Sequence, residues 1–263
     1  MSHRVSVVIP TFNRKDLLID TVQSVLEQSV QPHEVIICDD GSTDGTEEYF
    51  TSHLDRRIKF VKCGRNGRPA RPRNIGIAKA SGDWIAFSDS DDLWEPTKLE
   101  KQLTAADRER VSFIASNAMR IDKAGSKLGL IVEPEFSGRM VFSSVFELNR
   151  IPCSTVLTRK SLLRQSGGFP EAVRFKAIED YCLWLRILFL QDGFFLNENL
   201  VTYRDTPAES LRRDDISVLQ QRRLIFKHVL FESTKRASFR KGHHRGQLFR
   251  CISEIIHASR MRL

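Results

Sequence analysis

Apolar positions in this chain follow two alternating periods. Short runs rich in β-branched or aromatic residues lie at Arg4 to Ile9, Val35 to Cys38, Ile58 to Val61 and Trp84 to Phe87. Runs of this length and character predict strands, those at Val35 to Cys38 and Trp84 to Phe87 buried. Between the first two, Leu17, Leu18, Thr21, Val22, Val25 and Leu26 recur at helical spacing. A second helix is expected through Phe50, with Ser42 or Thr43 as its cap, and a third around Ile75 to Ala80. Strands and helices in this alternation predict a mainly parallel α/β sheet with helices on both faces.

The texture changes after Trp94. Pro96 opens a charged helix to about Asp107, and Val111 to Ala115 reads as another strand. Asp122-Lys123-Ala124-Gly125 has hairpin-turn chemistry. Ser154 to Thr158 reads as a strand, and Lys160 to Gln165 as a short helix stopped by Gly167-Gly168. Glu179 to Leu190 is strongly amphipathic, and Leu200 to Tyr203 is strand-like. Beyond Leu211, Leu219, Phe226 and Leu230 mark one helical stripe; Leu248, Ile252, Ile255 and Ile256 mark another, with basic Lys235 to Arg245 between them. The expected organisation is a domain over 1–210, in halves 1–95 and 96–210, followed by a basic helical extension over 211–263.

The 263 residues are 41% apolar, ample for a core, and no apolar run approaches a membrane span. Met1-Ser2-His3-Arg4 leads straight into a strand, so no signal peptide is expected. Five scattered cysteines fit reduced thiols and a cytoplasmic setting. Charge is segregated. Residues 211–263 carry 13 basic and 4 acidic residues, a net of +9, against −1 for the rest. That asymmetry suggests an anionic partner.

The chemistry concentrates where the Trp84 to Phe87 strand ends in Asp89, Asp91 and Asp92. Ligands of open α/β sheets bind at that end of the strands. Carboxylates so close repel, and a hard divalent ion such as Mn²⁺ or Mg²⁺ is the natural counter-charge. The alternative is a solvated acidic turn capping the next helix.

Pro10-Thr11-Phe12-Asn13-Arg14, Asp39-Asp40-Gly41-Ser42-Thr43-Asp44, Arg73-Asn74-Ile75-Gly76 and Asp89-Ser90-Asp91-Asp92 occur in that order. Gly167-Gly168-Phe169 and Glu179-Asp180-Tyr181 follow. Together they resemble the ordered motifs of glycosyltransferase family 2, over residues 3 to 205. The resemblance implies a GT-A, Rossmann-like sheet, with 1–95 as the nucleotide-sugar half and 96–210 as the acceptor half. It implies an inverting, metal-dependent transfer of a sugar from a nucleotide diphosphate, preferably UDP, to a hydroxyl of a glycan or lipid-linked acceptor.

It also implies roles. Asp91 is the metal ligand, and Asp89 a ribose or metal contact. Asp92 is either a further ligand or a helix cap. Asp39 accepts from the base or ribose, unless its carboxylate is spent on an Asx turn. Thr11 walls the base pocket, and Asp44 is a cap. Independently of the resemblance, eight basic residues lie between Arg56 and Arg73 with no acidic one; the loop among them either meets phosphate or is a solvated basic face, and Arg73 is the one that matches the family's nucleotide-side motif. Asp180 is the base for the acceptor hydroxyl, with Glu179 as runner-up. Trp184 belongs to the core or the acceptor wall. Gly167-Gly168-Phe169 either admits the donor sugar to the backbone or merely stops a helix. Arg204 is placed near the diphosphate.

Two rival readings remain. One is a nucleotidyltransferase, which would need a triphosphate-gripping Gly/Lys loop that the N-terminus lacks. The other is a non-catalytic adaptor of the same fold, binding anionic membrane or nucleic acid. Sparse aromatics near the basic tail, only Phe239 and Phe249, argue against nucleic acid. The tail's apolar stripes leave an inner-membrane surface, the catalytic domain or a second subunit as partners.

Overall fold

The computed structural model describes residues 3–52, 55–133, 135–146, 149–205, 223–229 and 231–232. The first half alternates β1 (Val5–Thr11), α1 (Lys15–Leu26), β2 (Glu34–Asp39), α2 (Thr46–Thr51), β3 (Ile58–Lys62), α3 (Ala70–Lys79) and β4 (Trp84–Phe87). The second half holds β5 (Leu93–Trp94), α4 (Lys98–Glu109), β6 (Phe113–Ile121), β7 (Lys127–Leu130), β8 (Gly138–Met140), α5 (Phe142–Phe146), β9 (Leu157–Arg159), α6 (Lys160–Ser166), α7 (Glu179–Leu190) and β10 (Gly193–Arg204). Among the described residues these strands form one ten-stranded sheet in the order β3-β2-β1-β4-β9-β6-β10-β5, with β7 added on β6 and β8 on β10.

The first four strands in that order are parallel, as the alternation predicted. β6 and β10 are parallel to each other, while β9 runs antiparallel between β4 and β6. The sheet is therefore mixed in its second half. Period-2 alternation buries both faces. Val5, Val7 and Ile9 of β1 meet α1 and α4, with Leu18, Val22, Leu99 and Leu103. Val8, Ile36, Ile85 and Phe87 meet the opposite layer, which includes Ile77 of α3 and Trp184 of α7. Trp184 is fully buried, so it belongs to the core.

The edge away from the strand ends is pinned by Glu34. Its carboxylate accepts from Ser6 Oγ at 2.6 Å, Ser81 N at 2.6 Å, Ser81 Oγ at 2.7 Å and Lys59 Nζ at 2.5 Å. Burial opposes the charge, but these bonds outweigh it and hold the carboxyl down at about 2.

Several boundaries moved. α2 starts at Thr46 with Gly45 as its cap position, so neither Ser42 nor Thr43 caps it. Asp44 lies one residue before the cap position, and its carboxylate meets the first N–H of two helices: it accepts from Thr46 N and Oγ1, and from Lys15 N at the start of α1. α3 starts at Ala70, so Arg71 to Arg73 are helical. Pro72 is tolerated because its missing N–H falls in the first turn. Ser154 to Thr158 divides into a 3-10 turn, Cys153–Thr155, and then β9.

In the C-terminal extension, residues 206–222, 230 and 233–263 lie outside the described residues, as do Leu219, the second apolar stripe and the Lys235 to Arg245 segment. Residues 223–229 are helical. Ile225 and Val229 are buried in the same cluster as α7, and Phe226 sits edge-on to Phe146 at 5.7 Å. This part of the extension packs on the preceding domain. No helix among the described residues is long and apolar enough to cross a membrane.

Candidate active site

β1, β2 and β4 end side by side, because their parallel registers bring Thr11 opposite Asp39 and Val8 opposite Phe87. Thr11 is 4% exposed, and its Oγ1 has no hydrogen-bond partner among the described residues. A buried hydroxyl left open at a strand end suits a pocket wall completed by a ligand. Asp39 accepts from Gly41 N at 3.0 Å and Ser42 N at 3.0 Å, which is the Asx-turn alternative. Asn13 ties the two loops together, its Oδ1 accepting from Thr43 N and its N–H donating to Ser42 Oγ.

Asp40 organises the basic loop. Its carboxylate accepts from Arg65 Nη1 at 2.9 Å, Asn66 N at 2.8 Å and Gly67 N at 2.7 Å. Arg65 is thereby laid over the Phe12 ring, 3.5 Å from its centroid.

The three aspartates after β4 have separate surroundings. Asp92 is fully buried: Oδ2 accepts from Ser154 Oγ at 2.5 Å, and Oδ1 from Arg204 N at 3.2 Å. It does not cap α4; it ties the end of β10 and the 3-10 turn to the strand end. Burial, then the charges of Asp91 and Asp89, push its carboxyl well up. Asp91 is ion-paired to Arg14. Burial raises the Asp91 carboxyl and Arg14 opposes that rise. Asp89 is the most open of the three, takes Arg73 Nη2 at 2.6 Å, and donates its own N–H to Ser154 Oγ at 2.8 Å. Arg204 lies against this turn, its Nε donating to Asp91 O at 3.4 Å.

Asp89 and Asp91 supply hard oxygen donors, the chemistry Mn²⁺ or Mg²⁺ takes. No group of three candidate ligands occurs among the described residues. Mg²⁺ is ordinarily held by one or two carboxylates, with substrate phosphates completing its shell. The residues fit such a shared ion.

Opposite them stands the start of α7. Asp180 Oδ1 accepts from Tyr181 N at 2.6 Å and Asn149 Nδ2 at 3.4 Å. Burial, then the neighbouring charge of Glu179, raise its carboxyl to about 7, with Arg73 opposing. Arg73 is 4% exposed and donates Nη1 to Glu179 Oε1 at 3.2 Å as well as Nη2 to Asp89. Its guanidinium stands over Phe169 at 5.3 Å. Arg73 is thus spent on carboxylates from both sides of the site, with only Nε lacking a partner.

Asn74 was not singled out from the sequence. Its Nδ2 donates to Phe169 O at 2.9 Å and Glu171 Oε1 at 2.7 Å, and its Oδ1 accepts from Phe169 N at 2.8 Å. Gly168 explains itself here: its φ is +69°, and a Cβ would stand 2.6 Å from Asn74 Oδ1. Phe12, Arg14, Asp40 and Arg65 also went unassigned. The only signal in the sequence was their position inside or beside the motifs.

These features define a carboxylate-rich candidate site at the C-terminal edge of a GT-A-type sheet. Residues 6–165 match the model of glycosyl transferase family 2, and the chain belongs to that family. It is similar to the UDP-Glc:alpha-D-GlcNAc-diphosphoundecaprenol beta-1,3-glucosyltransferase WfaP of Escherichia coli, at 34% identity over 86% of each chain. An uncharacterized glycosyltransferase of Rickettsia bellii is 40% identical over 70% of this chain, which spans only 26% of that protein's length. In fold it resembles S. aureus TarS residues 1–349 in complex with UDP-GlcNAc, with a TM-score of 0.73 at 19% identity, over 96% of this chain and 71% of that one.

Proposed function

We propose that this enzyme moves a hexose from a UDP-sugar to a hydroxyl of a glycan or lipid-linked acceptor, inverting the anomeric centre. The observation that carries the reading is the arrangement of Asp180. Its carboxyl titrates near 7, and one buried arginine links its neighbour Glu179 to Asp89 at the end of β4. A base of that pKa is matched to neutral pH. Thr11 and Asp39 line the nucleoside end, and Asp89 and Asp91 face the diphosphate. Mn²⁺ or Mg²⁺ there would neutralise charge on the departing UDP. Asp180 takes the acceptor proton as the acceptor oxygen attacks the anomeric carbon and the bond to the diphosphate breaks on the opposite face. WfaP's name supports a UDP-glucose donor and a GlcNAc-diphospholipid acceptor as first substrates to try. The basic end of the chain supports peripheral contact with an anionic membrane, where such an acceptor would lie.

The test is a transfer assay with UDP-sugars and GlcNAc-diphospholipid. Asp180→Asn is expected to keep Mn²⁺-dependent UDP binding and to lose about 10²-fold or more in turnover. Turnover near wild type places the base elsewhere, with Glu179 next in line.

A further inference from the structure

Arg73 and Asn74 sit in the first turns of α3, on the donor side, yet their side chains are bonded to the acceptor side. Gly76 allows this. A Cβ there would stand 2.5 Å from Val8 Cγ1 and 2.8 Å from Cys38 Sγ, so glycine lets α3 settle directly on β1 and β2. Asn74 then grips both backbone groups of Phe169 and the Glu171 carboxylate. Arg73 forks to Asp89 and Glu179, the residue before Asp180, with Phe169 beneath it.

We propose that Arg73 and Asn74 form a clasp between the two halves of the site, with Arg73 a positioning residue that sets Asp180 against the donor through Glu179, and not a ligand of the donor phosphates. The inference rests on reading Asp180 as the base. Three features carry it. Arg73 is 4% exposed, so a phosphate has little access to it. Both of its terminal nitrogens already hold carboxylates, at 2.6 and 3.2 Å. A planar fork can hold two carboxylates at fixed angles, which a lysine ammonium cannot reproduce. The clasp also gives the Gly167-Gly168-Phe169 motif a purpose. It presents Phe169 to Asn74 and Arg73, and Gly168 is the residue that lets Asn74 close.

The experiment compares Arg73→Lys and Glu179→Gln with wild type in full-length protein. UDP affinity in Mn²⁺ is measured by calorimetry. Turnover is measured with UDP-glucose and GlcNAc-diphospholipid, and amide exchange is followed at the start of α7. A positioning role leaves the UDP Kd close to wild type and lowers kcat in both variants, by about 10²-fold where misplacement reaches an ångström. It also speeds exchange in the first turn of α7 while β4 stays protected. A phosphate-ligand role raises the UDP Kd in Arg73→Lys and leaves Glu179→Gln normal in all three measurements; that result overturns the proposal. If Arg73→Lys does not fold, Glu179→Gln alone decides, because wild-type kcat and exchange in it are fatal to the clasp. Normal turnover in Asp180→Asn would sink the base assignment instead. The UDP and exchange measurements need no sugar transfer and would still decide where Arg73 acts.

Discussion

Asp180 shows how much one residue's surroundings decide. An aspartate in water is ionised well below neutrality, but burial and Glu179 raise this one to about 7. Only the ionised form accepts a proton, so turnover should rise with pH through an acidic limb near 7. Glu179→Gln removes a like charge and should move that limb to lower pH; a limb that stays in place would show that another group titrates. Arg14 makes a second case. It already neutralises Asp91, so a cation taken by that carboxylate would have to compete with it. Arg14→Gln should therefore tighten Mn²⁺ binding in the absence of nucleotide, as read by electron paramagnetic resonance, whereas Asp91→Ala should abolish the metal dependence of UDP binding. An Arg14→Gln affinity equal to wild type means that the pair opens without competition. The aspartates were legible as a cluster because they follow a buried strand. Their division of labour was not. Asp92 differs from Asp91 through Ser154 and Arg204, which lie 62 and 112 residues away and leave no mark on the local sequence.

At the scale of elements, hydrophobic periodicity predicted β1, β2, β4 and α1 well, since each buries a full face, and it found β3 although that edge strand is only half-buried. It was weaker where elements are short. β5, β8 and β9 have two or three residues each, too few to display a period, and tertiary pairing alone makes them strands. Polar residues inside the core were illegible for the same reason. Lys98, the first residue of α4, is fully buried, donates to Gln102 Oε1 at 2.8 Å and lies 3.8 Å from the Trp94 ring centroid. Burial lowers its pKa to about 7, against 10.5 for a free lysine. Below about pH 7 the folded protein must hold this charge in the core. As pH rises from there toward the unfolded-state value, the penalty is relieved, because the unfolded chain then binds more protons. Lys98→Met should therefore raise Tm, and by more at pH 6 than at pH 9; an equal gain at both would mean that the lysine titrates in the fold as it does in the unfolded chain. Gly168→Ala should act in the opposite sense. Its φ of +69° and the 2.6 Å approach of Asn74 Oδ1 predict a loss of about 1–3 kcal/mol, read by denaturant unfolding.

For the whole molecule the governing asymmetry is charge. The net +9 of residues 211–263 was plain in the sequence, whereas the packing of its helical segment 223–229 was not, because Ile225 and Val229 find their partners on a distant helix. That packing changes how a membrane role must be tested. Truncation at Leu211 would strip Ile225 and Val229 from the core, and a lost activity would then report folding. Truncation after Glu232 keeps both. It removes residues 233–263, with eight basic residues and one acidic residue, a net of +7. Each basic residue near an anionic bilayer contributes about 1 kcal/mol, an attraction that fades within a Debye length. Full-length enzyme should therefore sediment with phosphatidylserine-containing vesicles at low salt and leave them at high salt. The truncated form should stay in solution at both, with unchanged Tm and unchanged UDP affinity. Turnover on a lipid-linked acceptor presented in vesicles should fall on truncation, while turnover on a soluble acceptor analogue should not. Equal sedimentation of the two forms would assign membrane contact to the catalytic domain, and no sedimentation of either would leave the tail's charge to another anionic partner.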